Sequence, residues 1–135
     1  MRSQSLFIAT AVLESTTGVA LVAVPNAVVP LLLGAAFDAP GALVVARIAG
    51  AALLALGLAS WLARRDGELR AGRGLMAAML LYNVAVAAVL ARYGLGSGTT
   101  GTALWPVVLL HSILAAWCIK ALRQRDPSTT ELQRS

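Results

Sequence analysis

Four stretches of the chain, residues 6–24, 42–63, 74–91 and 103–122, are apolar almost all the way round. Each approaches the ~20 residues that a helix needs to cross a ~30 Å hydrocarbon core. Helices of a water-soluble bundle keep a polar outer face, and these segments have none. Lipid is therefore their natural solvent. The expected fold is all-α: a polytopic integral membrane four-helix bundle over residues 1–123, followed by a polar tail over 124–135. Composition agrees. Charged residues make up 13% of the chain and hydrophobic residues 59%, where soluble domains carry about 25% charged residues. The mean hydropathy is +0.78.

A pI of 10.7 raises the question of a nucleic-acid partner. The basic residues, however, gather at segment ends rather than on one face, and no RNA- or DNA-binding motif is present. No nucleic acid is expected as a partner. Arg2 and the apolar run from Leu6 have the outline of a signal peptide, but Glu14 interrupts that run. A cleaved h-region is unbroken by charge, so the segment is expected to be a retained helix. The single cysteine, Cys118, has no partner for an intrachain disulfide, and with one histidine the chain lacks an ordinary Cys/His zinc site. Cys118 is expected to be a small buried apolar residue, and neither a metal nor a cofactor is expected.

The connections suit a membrane bundle. Pro25 ends the first segment. Residues 25–34 are too apolar for a wet loop and too few to span, which predicts an interfacial or partly re-entrant segment, closed by Gly34 and a turn at Asp38-Ala39-Pro40-Gly41. Residues 64–73 form a charged loop, and 94–101 a glycine-rich, flexible, uncharged one. Pro106 falls in the first turn of the last helix, where a missing N–H costs little. Trp61, Tyr93, Trp105 and Trp117 lie near segment ends, as in an aromatic belt. Ala46-Gly50, Ala51-Ala55-Ala59 and Ala87-Ala91 are small-residue steps of the kind that lets helices approach in lipid.

Orientation follows from the lysines and arginines. Arg2, Arg64, Arg65, Arg70, Arg73, Lys120, Arg123, Arg125 and Arg134 fall on one side, Arg92 flanks the other, and Arg47 lies within the second helix. Positive charge marks the cytoplasmic side. Both termini are therefore expected in the cytoplasm and the protein in the cell (inner) membrane, as a multi-pass protein.

Polar side chains are costly in hydrocarbon and usually face the bundle interior. Each segment holds one that stands out: Glu14, Arg47, Asn83 and His111. At 1.5 Å per residue their depths from the cytoplasmic end come to ~12 Å for Glu14, ~13 Å for Asn83, ~16–18 Å for His111 and ~23 Å for Arg47. An arginine side chain spans the remaining gap, so the four converge on one intramembrane polar cluster, a candidate ligand or proton site. Thr10, Thr17 and Gly18 stand at i−4, i+3 and i+4 from Glu14 and form its supporting face. Tyr82 points about 100° away from its neighbour Asn83 and is not required in the cluster. A purely structural account pairs Glu14 with Arg47 and lets Asn83 and His111 satisfy the remaining bonds. A functional account has Glu14 and His111 bind or relay protons or a ligand. Arg47 also has an account of its own, reaching out to the interface.

Two resemblances attach to these residues. The run Ile8-Ala9-Thr10-Ala11-Val12-Leu13-Glu14-Ser15-Thr16-Thr17-Gly18 resembles the first helix of small multidrug resistance transporters, which carry a membrane glutamate with Gly and Thr nearby. It covers residues 8–18 alone; the Ala-Tyr-Ala signature of that family's second helix is absent, and the charge bias is stronger than the family's. Over most of its length the chain looks like the DoxX-like group of small bacterial four-helix membrane proteins, through the Glu14-to-Gly18 step, the proline-rich segment after the first helix and Arg47-Ile48-Ala49-Gly50. That resemblance implies a four-helix bundle and no particular chemistry.

No nucleotide-binding, metalloprotease, nucleophile-elbow or CxxC pattern occurs. The leading expectation is a non-enzymatic accessory, scaffold or partner-binding subunit, acting with the lipid bilayer, a second copy or a larger membrane complex. The alternative is a small proton-coupled carrier or ligand-binding bundle using Glu14, with His111 and Asn83 lining the site. A third is an intramembrane enzyme on a lipid-like substrate, with Glu14 and His111 as acid and base. The orientation is directly checkable. A reporter enzyme that folds only outside the cytoplasm is expected to be inactive when fused after Arg73 or at the C-terminus, and active when fused at Ser97; the reverse pattern would refute the charge argument.

Overall fold

In the computed structural model, residues 2–35, 39–66, 69–98 and 100–124 are described. The Asp38 turn, part of the charged loop and the tail beyond Gln124 lie outside the described residues. The described chain forms five helices: α1 (Arg2–Ala23), α2 (Pro25–Leu33), α3 (Pro40–Ala63), α4 (Arg70–Gly96) and α5 (Leu104–Arg123). All but α2 are long and apolar enough to cross a membrane.

The helices outrun the apolar segments. α1 starts at Arg2 rather than Leu6, and α4 covers Arg70–Gly96 rather than 74–91. Hydropathy marks where lipid begins, whereas backbone hydrogen bonding continues past that boundary. One further expectation gains detail and another is revised. Residues 25–33 are a regular helix with Pro25 at its first turn, and Gly34 (φ 71°) ends it in the left-handed conformation, its N–H bonded to the Pro30 carbonyl. Gly94 and Gly96 belong to α4 rather than to a loop. Gly94 packs closely against α5, where a Cβ would fall 2.8 Å from Leu104 and 3.1 Å from the Trp105 ring.

α1 and α3 form one antiparallel pair, and their backbones meet at Gly18 and Gly50. A Cβ on Gly18 would lie 2.7 Å from the Gly50 carbonyl oxygen, and one on Gly50 2.8 Å from that of Gly18. Two turns away, Gly57 sits against Ser15 and the Ala11 carbonyl. α4 and α5 form the second antiparallel pair, joined by side chains. The two pairs share a dry cluster of Leu6, Phe7, Met76, Met79, Leu114 and Cys118 at the end holding the α1 N-terminus. Ser60 reaches Met79 Sδ at 3.7 Å there and donates to the Leu56 carbonyl.

At the opposite end α2 is clamped in place. Its last carbonyls accept from Gly101 N–H (3.1 Å, Leu32), Ala103 N–H (2.9 Å, Leu31) and the Tyr93 hydroxyl (2.9 Å, Leu33). Gly101 is obligatory at this contact, because any side chain would run into the Leu31 carbonyl. The same device closes two other helix C-termini. Arg47 Nε donates to the Val22 carbonyl of α1 (3.3 Å), and Arg73 to the Leu122 carbonyl of α5 (2.9 Å). Orphan carbonyls and the negative end of the helix dipole both favour these donors.

Gly18→Ala and Gly50→Ala are expected to lower stability by ~1–3 kcal/mol through overpacking. Gly74→Ala, with open space around its Cβ, is expected to be neutral or stabilising by up to ~1 kcal/mol. Unfolding by SDS titration in mixed micelles separates the two cases.

Candidate functional site

α1 presents two buried stripes. Ala11, Ser15 and Gly18 face α3, as the contacts of Gly57 and Gly50 show. Phe7, Thr10 and Glu14 face the other pair: Phe7 enters the dry cluster, and Glu14, only 3% exposed, accepts a hydrogen bond at Oε2 from the Tyr82 hydroxyl of α4 at 3.3 Å. The stripe stays buried through Glu14, and its next member, Thr17, is exposed. Glu14 is therefore the last buried member of this stripe. α4 repeats the pattern, with Gly72, Met76, Met79 and Asn83 buried and Val86, Ala87 and Leu90 half-buried beyond them.

Next to Glu14, the helices assemble a polar chain. Asn83 is fully buried; its Nδ2 donates to the Met79 carbonyl at 2.8 Å and its Oδ1 lies 2.8 Å from His111 Nδ1. Because the amide is oriented by Met79, Oδ1 acts as acceptor, and His111 when neutral carries its proton on Nδ1. That leaves Nε2 as an acceptor, and it makes no hydrogen bond among the described residues. The His111 ring meets Tyr82 edge to face, with centroids 5.7 Å apart. Glu14, Tyr82, His111 and Asn83 thus form one series across α1, α4 and α5.

Three of the four residues singled out in the sequence come together here, and Arg47 stands apart. It is exposed and bonded to Val22, with no ion pair to Glu14 among the described residues. The physical reason lies in the α1 C-terminus, whose open carbonyls hold the guanidinium above the cluster. Tyr82 is the member that sequence reasoning left out. Its 100° offset from Asn83 is real, and its consequence is the opposite of exclusion: Asn83 turns to α5 and Tyr82 to α1, so one helix joins both neighbours.

Of the supporting face, Gly18 belongs to the α3 contact and Thr17 is exposed. Thr10 has the more informative position. It is 1% exposed, and its Oγ1 is a buried side-chain polar atom without a hydrogen-bond partner among the described residues. Thr16, Ser60 and Ser112 each satisfy their hydroxyls on the carbonyl four residues back; Thr10 does not. Among the described residues no group of His, Cys, Asp and Glu could hold a metal ion. Cys118 lies free within the dry cluster.

The chain matches no protein-family model, no curated protein and no solved structure.

The series predicts a specific pattern of energetic coupling. A double-mutant cycle of Glu14→Gln with Tyr82→Phe is expected to give ~0.5–1.5 kcal/mol of interaction, and Glu14→Gln with Arg47→Gln none beyond error. His111→Ala is expected to cost ~1–3 kcal/mol, because Asn83 Oδ1 is left buried without its partner. Unfolding free energies in the same micelle system supply all three values.

Proposed function

We propose that the chain is a multi-pass membrane protein, with both termini on the cytoplasmic side, that binds and releases a proton at Glu14 as the working site of a small proton-coupled carrier. The observation that carries this reading is the state of Glu14: a nearly inaccessible carboxyl whose one hydrogen bond comes from Tyr82, with no cation against it among the described residues. Structural glue does not need such a group. A glutamine would accept the same hydroxyl without placing an uncompensated charge in a medium where charge is expensive. What a carboxyl adds over a glutamine is a proton that it can release. The neighbourhood supports exchange as well. Tyr82 and His111 continue the series away from Glu14, Thr10 Oγ1 is one helical turn off and unsatisfied among the described residues, and Thr17, one turn further, is exposed.

Glu14 is the only acidic residue inside the four apolar helices, which makes the test clean. In reconstituted bilayers, infrared difference spectra between two pH values are expected to show a protonated-carboxyl band at higher frequency than that of a solvated carboxyl. That band is lost in Glu14→Gln and shifted in Tyr82→Phe. A spectrum without such a band, or one that Glu14→Gln leaves intact, would overturn the proposal.

A second reading, an accessory subunit joined to a partner through its helix faces, has one observation in its favour. Ala51 and Ala55 of the α3 small-residue ladder are exposed, beside exposed Ile48 and Leu58. A homodimer through this face also serves the carrier reading, since four helices are few to enclose a pathway. Native mass spectrometry from mild detergent distinguishes the cases: a strict monomer without co-purifying protein removes the accessory reading.

A further inference from the structure

The α2 end of the molecule has a feature that the proton site does not use. A groove of about 800 Å³ runs along the last turns of α4, lined by Val89, Arg92, Tyr93, Leu95, Gly96 and Ser97. Of the two basic residues in the described chain that fall at this end, Arg47 is committed to the Val22 carbonyl. Arg92 is exposed and has no hydrogen bond or ion pair among the described residues. The chain concentrates its positive charge at the opposite end, so an arginine here runs against the general bias.

We propose that this groove binds the headgroup of an anionic phospholipid, with Arg92 holding the phosphate. A guanidinium offers a planar pair of donors that matches phosphate oxygens. The wall beside it is apolar: Val89 and Leu95 are among the most exposed large hydrophobic residues, at 68% and 81%. A free phosphate would leave that wall bare, whereas an acyl chain descending from the headgroup covers it. Among the described residues no acidic side chain lines the groove, so none of them meets the ammonium of a zwitterionic lipid. The site is also rigid on one side, because the Tyr93 hydroxyl is fixed to the Leu33 carbonyl and presents its ring rather than its oxygen.

Trp105 is a built-in reporter. Its ring packs against Gly94, two residues from Arg92. In a Trp61→Phe, Trp117→Phe background in phosphatidylcholine bilayers, Trp105 emission is titrated with lipids brominated along the acyl chain. Brominated phosphatidylglycerol is expected to reach half-maximal quenching at about one-fifth the mole fraction needed with brominated phosphatidylcholine. Arg92→Gln is expected to remove that difference, Arg92→Lys to keep part of it, and millimolar inorganic phosphate to leave it unchanged. Equal quenching by the two lipids, a preference that persists in Arg92→Gln, or displacement by inorganic phosphate would each overturn the proposal. Because the readout does not involve Glu14, the lipid site and the proton site stand or fall separately.

Discussion

The backbones of α1 and α3 approach each other at Gly18 and Gly50 closely enough that neither position tolerates a Cβ. In lipid, where apolar side chains gain little by meeting each other, such close approach is a main source of helix association. The contact does more than join two helices. It commits the Ala11-Ser15-Gly18 stripe of α1 to α3 and so turns the Phe7-Thr10-Glu14 stripe toward α4 and α5. Everything distinctive about the interior follows from that rotation.

Along this second stripe the environment changes step by step. Phe7 lies in a dry cluster with Met76, Met79, Leu114 and Cys118. Thr10 is buried and unsatisfied, Glu14 is bonded to Tyr82, and Thr17 is open. Glu14 is thus the last buried member of this stripe, one turn before exposed Thr17.

Helix termini are managed by side chains reaching from elsewhere in the fold. Arg47 closes α1, Tyr93 closes α2 and Arg73 closes α5, while α2 through α5 have no side-chain N-cap. Where water is scarce, carbonyls at a helix end need donors from the protein, and an arginine or tyrosine supplies one without adding an acidic group. Arg47 and Arg92, neighbours in depth, diverge for this reason: one is consumed by a helix end and the other is left to face the groove.

The existence and approximate extent of the four long apolar helices were legible in the sequence, because hydropathy is a local property and lipid reads it segment by segment. So was the common level of Glu14, Asn83 and His111 along the helices, since rise per residue is fixed within a helix. The helical state of residues 25–33 was not, because proline reports only weak local preference and the bonds that hold this helix end come from Gly101, Ala103 and Tyr93, far away in the chain; nor was that of Gly94–Gly96, because glycine reports little local preference. Membership of the polar chain was legible only in part. Depth brings residues to the same level, but which of them touch depends on how each helix is rotated about its axis. The rotation of α1 is set by Gly18 against Gly50, and that of α4 by Asn83 meeting His111 while Tyr82 meets Glu14. The amino-acid sequence alone therefore determined that a glutamate lies at mid-depth among apolar helices. Only the tertiary structure decided that Tyr82, and not Arg47, is its partner, because helix rotation is settled by contacts between segments and not within them.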